Sequence, residues 1–207
     1  MVDRQTRNNY CLQVNHFYIA RHGETENNRV GRFSGWIDTP LTAAGTQDAL
    51  SSAAKLSGLK IDRIIASDLG RAFTTAYIIA RATGYTDGID RAKGLREVNY
   101  GDLANMPYSA YPELSVLENA TFVSPGGESL EQMQARVLSC LQAICENNQN
   151  KTVLLVGHDG TINAIRASFA QENMGEADTT HNPHDYVAHF TVEDGKITSF
   201  EEVTKKL

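Results

Sequence analysis

His16-Phe17-Tyr18-Ile19-Ala20-Arg21-His22-Gly23-Glu24-Thr25 is a short apolar, β-prone run that ends abruptly in a guanidinium, an imidazole and a glycine. Two other runs end in a similar way: Ile61 to Ser67, followed by Asp68 and then Arg71, and Thr152 to Gly157, followed by His158-Asp159-Gly160. Each has strand length, and segments with helical spacing follow at Thr42 to Leu56, Leu69 to Thr83 and Thr161 to Gln171. This alternation predicts an α/β fold, with a largely parallel sheet and helices on its faces. In such a sheet ligands bind at the carboxyl ends of the strands, so three segments far apart in sequence should converge on one crevice.

The rest of the chain fits that frame. Leu130 to Asn147 is the clearest helix, since Leu130, Met133, Val137, Leu141 and Ile144 form one apolar stripe and Ser129 with Gln132 reads as a capping box. Tyr186 to Val192 and Ile197 to Val203, separated by Glu193-Asp194-Gly195-Lys196, read as a hairpin closing the sheet. From Tyr100 to Gly127 the periodicity fails, and prolines with scattered Tyr and Phe suggest a lid or an ordinary surface loop. One domain over residues 1–207 is expected, with a polar N-terminal extension at 1–14.

Composition excludes several classes. The net charge is -6 and no long Lys or Arg run occurs, so neither a nucleic acid nor a membrane surface is expected as partner. Three cysteines, Cys11, Cys140 and Cys145, form no Cys-x-x-Cys pair and are odd in number, which argues against a disulfide framework or structural zinc. No signal peptide or spanning helix is evident, which predicts a soluble cytoplasmic protein. Oligomeric state cannot be read from the pattern.

The converging residues suit a phosphate ester. Arg21 and Arg71 can grip phosphate oxygens, and Arg71 falls in the first turn of a helix, where free N–H groups would also favour an anion. His22 has a cation before it and a glycine after it, which would let a phosphorus atom approach its ring, and nearby arginines would keep the imidazole neutral and nucleophilic. Glu97 is the candidate proton donor for a leaving alcohol. No His-Glu-x-x-His, carboxylate cluster or phosphate-binding glycine loop is present, so neither metal nor cofactor is expected. His16, His181, His184 and His189 lack catalytic company, with His181 and His184 in a solvated turn. Asp159, whose carboxylate would oppose phosphate, is expected to face outward, as the cap of its helix.

Arg21-His22-Gly23-Glu24-Thr25 with Asn28, and Arg32-Phe33-Ser34-Gly35-Trp36-Ile37-Asp38-Thr39-Pro40-Leu41-Thr42, resemble the phosphoglycerate mutase-like branch of the histidine phosphatase superfamily. Ser67-Asp68-Leu69-Gly70-Arg71-Ala72, Leu95-Arg96-Glu97 with Gly101, Gly126-Gly127-Glu128-Ser129 with Arg136, and Val156-Gly157-His158 extend the likeness from about His16 to Ile165. The resemblance implies a three-layer α/β/α sandwich with a mostly parallel central sheet and a two-step reaction. His22 would accept the phosphoryl group, Glu97 would protonate the leaving oxygen, and Arg21, Arg71 and His158 would hold the phosphoryl oxygens, with Asn28, Ser34 and Gly35 adding hydrogen bonds. Departures bear on substrate: Val98 stands where mutases carry a basic residue, and Tyr100 to Gly127 contains no Arg or Lys. The expectation is therefore a phosphatase acting on a small phosphorylated metabolite, with a mutase and a catalytically silent phospho-ligand binder as alternatives.

Overall fold

A computed structural model describes residues 14–110, 120–177 and 180–204; the N-terminal extension up to residue 13 and residues 111–119 of the expected lid lie outside the described residues. In chain order the elements are β1 (Val14–Arg21), α1 (Glu26–Arg29), α2 (Ala43–Lys55), β2 (Arg63–Ser67), α3 (Gly70–Thr83) and β3 (Ile89–Ala92). They continue with α4 (Leu130–Asn147), β4 (Thr152–Gly157), α5 (Asp159–Ala170), α6 (Met174–Ala177), β5 (Val187–Glu193) and β6 (Lys196–Glu202). Strand β1 takes in Val14, so the sheet begins within the expected extension.

The strands form one sheet in the order β3-β2-β4-β1-β5-β6. Neighbouring pairs from β3 to β1 are parallel, and β5 is antiparallel to both β1 and β6. Alternation along each strand builds two cores. Phe17, Ile19, Val153, Leu155 and Phe190 point to one face, where they meet Met133, Val137 and Leu141 of α4 and Ile162 of α5. Ala20, Ile64, Ala66, Leu154 and Val156 point to the other, against Ala53 of α2 and Ala72, Ala76 and Ile79 of α3. The expected α/β/α sandwich is what folds.

Local signals account for most boundaries. The Ser129 side chain accepts from Gln132 N at 3.1 Å and Gln132 Oε1 accepts from Ser129 N at 2.9 Å, completing the capping box of α4. Thr42 caps α2 through Gly45 N at 3.0 Å, and Gly84 ends α3 at φ 76. Asp194 (φ 47) and Gly195 (φ 75) form the tight turn between β5 and β6, as a primed hairpin turn requires. Edge strand β3 carries little apolar signal, because Asp90 and Arg91 are both exposed.

Candidate active site

The carboxyl ends of β1, β4 and β2 lie side by side: Arg21 pairs with Gly157 across β1 and β4, and Ala66 with Val156 across β2 and β4. Residues just beyond them therefore share one crevice. His22 is anchored by its backbone N–H, which donates to Gly157 O at 3.0 Å. Its ring is 4% exposed. Nδ1 lies 2.8 Å from Gly23 O, an atom that can only accept, so the proton sits on Nδ1 and Nε2 keeps its lone pair. Arg71 Nε donates to that Nε2 at 3.3 Å. Burial, reinforced by Arg71 and Arg21, holds the imidazole well below its ordinary range, so the ring is neutral near pH 7.

Arg71 is 2% exposed and aimed by two carbonyls: Nη2 donates to Gly35 O at 2.7 Å and Nη1 to Ile37 O at 3.0 Å. The Ser34–Gly35 turn thus acts on the arginine. Gly35 sits at φ 51, and a Cβ there would press on Tyr100 and Val98 O at 3.1 Å. The expectation that the N-terminus of α3 itself favours a substrate anion is corrected, since Asp38 accepts from Gly70 N and, at 3.2 Å, from Arg71 N. The dipole there holds a carboxylate of the protein. The role expected of Gly23 changes too. A Cβ on it would fall 2.0 Å from Gly45 O, so its bareness serves the packing of this loop on α2.

His158 is fully buried, with its ring 5.1 Å from that of His22 in an edge-on arrangement. Its Nε2 lies 2.9 Å from Ser67 Oγ. Burial, then Arg71 and His22, hold its pKa well below the usual range. Among the described residues, His158 Nδ1, Arg21 Nε and Ser34 Oγ are buried polar atoms without a hydrogen-bond partner. Such atoms are costly unless something polar meets them. The two that belong to Arg21 and His158, both beside His22, suit an oxygen-rich anion.

Glu97 reaches the same crevice. Its Oε1 accepts from Val98 N at 2.9 Å and its Oε2 from Gly160 N at 3.4 Å. A Cβ on Gly160 would stand 2.3 Å from Glu97 Oε1, so glycine is needed for this approach. The backbone is stapled as well: Glu97 O accepts from Trp36 Nε1 at 2.8 Å and Arg136 Nη2 at 3.2 Å, while Arg136 Nη1 holds the carbonyls of Gly94 and Arg96 at 3.0 Å each. Asp68, the polar residue at the end of β2, pairs with Arg96 through two 2.7 Å bonds and does not join the pocket.

Asn28 Oδ1 is spent on Thr25, accepting from its N–H at 3.1 Å and its hydroxyl at 2.8 Å. The other end of Asn28 meets the Tyr108 hydroxyl, and Arg21, Glu97 and Asp159 are close enough to act on that phenol. The Tyr108 ring packs on Phe33, with centroids 4.6 Å apart.

Two expectations are overturned here. His184 is no solvated bystander: its Nδ1 donates to His22 O at 3.1 Å, its ring is 5.6 Å from that of His22, and burial and Arg21 lower its pKa. Nothing near His184 in sequence signals this, since only the return into β5 brings it to the site. Asp159 does not face outward and does not cap α5, whose N-cap is His158. Its carboxylate turns in, with Oδ2 3.8 Å from Arg21 Nη1. Among the described residues, no group of three or more His, Cys, Asp or Glu is arranged to hold a metal ion, and no helix is long and apolar enough to cross a membrane.

Two arginines and two buried histidines at the strand-end edge of an α/β/α sandwich mark the class of proteins built around a phosphoryl-binding histidine. The chain belongs to the histidine phosphatase superfamily (branch 1), whose model matches residues 17–202. It is 39% identical over 154 residues, 71% of this chain and 69% of the relative, to a Salmonella choleraesuis (strain SC-B67) protein named "Probable phosphoglycerate mutase GpmB". Among solved structures it is similar to Bacillus stearothermophilus YhfR, with a TM-score of 0.80 and 27% identity over 88% of this chain and 94% of that one. It is also similar to a mycobacterial glucosyl-3-phosphoglycerate phosphatase complexed with VO3, with a TM-score of 0.76 and 26% identity over 87% and 97% of the two chains.

Proposed function

We propose that this protein is a phosphatase that hydrolyses a small phosphorylated metabolite through a phosphohistidine at His22, in the cytoplasm and without metal. The observation that carries this reading is the state of His22: neutral, with its proton on Nδ1, and with Nε2 facing a buried guanidinium. In the first step Nε2 forms a bond to phosphorus, the P–O ester bond breaks, and Glu97 gives a proton to the leaving oxygen. In the second, Glu97 takes a proton from water, the water oxygen bonds to phosphorus, and the N–P bond breaks to release phosphate. Arg21, Arg71 and His158 hold the equatorial oxygens, where charge spreads in the transition state. Asn28, Ser34 and the Gly35 turn support that grip, the last by aiming Arg71.

A mutase is the second reading, favoured by the likeness to the protein named for phosphoglycerate mutase. Against it, residues 100–127 offer no Arg or Lys to hold the carboxylate of a phosphoglycerate. Phosphate release from a panel of phosphate monoesters, with chelator present, tests the proposal. His22→Ala is expected to lose activity by at least about a thousandfold. Unchanged turnover in that variant refutes the phosphohistidine route, and 3- to 2-phosphoglycerate conversion far in excess of phosphate release replaces phosphatase by mutase.

A further inference from the structure

Arg21 is held by a backbone carbonyl that a carboxylate orients. Its Nη1 donates to the carbonyl of Asn182, and Asp159 Oδ2 lies 3.8 Å from the same nitrogen. Asp159 Oδ1 in turn accepts from Asn182 N at 3.0 Å and from Asn182 Nδ2 at 2.6 Å. Asn182 is 3% exposed, and its amide is fixed further by Arg166 Nη1 at 3.0 Å and by Asn163 Oδ1 at 2.9 Å. Asp159 Oδ2 has one more neighbour, His181 Nδ1 at 3.4 Å, on a side chain that is 87% exposed. The carboxylate that orients the Asn182 carbonyl, and through it Arg21, therefore also faces the phosphate-gripping guanidinium.

We propose that Asp159 is a positioning residue for Arg21 whose charge also lowers the pocket's affinity for phosphate, so that the product leaves. This rests on the reading of the crevice as a phosphate site. The two effects oppose one another. Through Asn182 the carboxylate keeps Arg21 aimed, which favours anion binding, while its own charge, 3.8 Å from that guanidinium, repels a bound anion. At a separation of roughly 6 Å in a protein-surface dielectric, a unit charge changes anion affinity by about tenfold or more. Easy release of free phosphate suits hydrolysis, whose product it is.

Asp159→Asn separates the effects, because its amide oxygen still accepts from Asn182 while the charge is gone. Calorimetric titration with inorganic phosphate, which needs no turnover, is expected to give a Kd about tenfold lower in Asp159→Asn than in the unaltered protein. With p-nitrophenyl phosphate as substrate, KM falls in step and kcat falls as release slows. Asp159→Ala, which also loses the acceptor, binds phosphate more weakly than Asp159→Asn, with thermal melts showing all three proteins folded. Equal phosphate Kd values in the unaltered protein and Asp159→Asn overturn the proposal even if both hydrolyse the ester. Tightened phosphate binding in a protein that hydrolyses nothing upholds the role of Asp159 and refutes the phosphatase reading instead. Absence of phosphate binding in all three sinks both.

Discussion

Gly23 and Gly45 meet backbone to backbone, and their contact fixes the loop that carries His22 against the first turn of α2. A Cβ on Gly45 would stand 2.0 Å from Glu24 O. Helix propensity argues for the substitution, since alanine is worth ~1 kcal/mol over glycine inside a helix. The clash is with backbone, which cannot swing aside, and overpacking of this kind costs about 1–3 kcal/mol. Gly45→Ala is therefore expected to lose about 1–2 kcal/mol in urea unfolding, with kcat/KM falling as His22 shifts. Gly88→Ala, where nothing lies within 4 Å of the added carbon, is the control and should stay within ~0.5 kcal/mol. Equal stability of Gly45→Ala and the control would show that the contact is softer than the geometry implies. Gly23 illustrates a limit of sequence reading. The motif reveals that glycine matters there, but the pressing atom belongs to a residue 22 positions away.

Elements show the same division. The periodic stripe of α4 and its capping box are local patterns, and the sequence displays them in full. The N-terminus of α3 is different, because its partner Asp38 arrives from the turn after Ser34, and only the folded chain brings a carboxylate onto Gly70 N and Arg71 N. A helix start that looks free in sequence is in fact closed. Removing that cap in Asp38→Ala is expected to cost about 1 kcal/mol of stability. It should also lower kcat/KM, since Arg71 takes its direction from the same turn through Gly35 O and Ile37 O. Asp38→Asn keeps only one of the two acceptor oxygens, since Gly70 N and Arg71 N bond to different oxygens, and should fall between Asp38→Ala and the unaltered protein in both quantities. An Asp38→Ala protein with unaltered kcat/KM would show that the two carbonyls aim Arg71 without help from the helix cap. Arg136 is legible only in part for the same reason: its motif marks a helix, while its job of clamping the carbonyls around Glu97 depends on three segments meeting.

Across the whole molecule, the parallel core was legible because β1, β2 and β4 are apolar runs ending in polar and charged side chains. Edge strand β3, the inward turn of Asp159 and the arrival of His184 were not, because each depends on partners distant in sequence. The site's placement has a thermodynamic consequence. His22 and His158 are buried in their neutral forms with pKa values well below the ordinary imidazole value, chiefly through burial. The unfolded chain titrates these rings near pH 6.5 and so binds more protons than the folded chain just below that pH. Their contribution to stability is therefore intact above about pH 6.5 and is lost as pH falls, by up to ~1.4 kcal/mol per histidine per pH unit. The paired carboxylate of Asp68 acts in a lower window. Arg96 depresses its pKa, so its contribution holds above the usual carboxylate value and declines only below it. Between pH 6.5 and about 4.5 the histidines should dominate, with His184 and His189, also lowered, adding in the same sense. Urea midpoints measured across that range are expected to fall steadily with acidification. In the double variant His22→Asn/His158→Asn the fall should be much shallower, and an identical slope in both proteins would show that the acid sensitivity lies outside the crevice that holds the two rings.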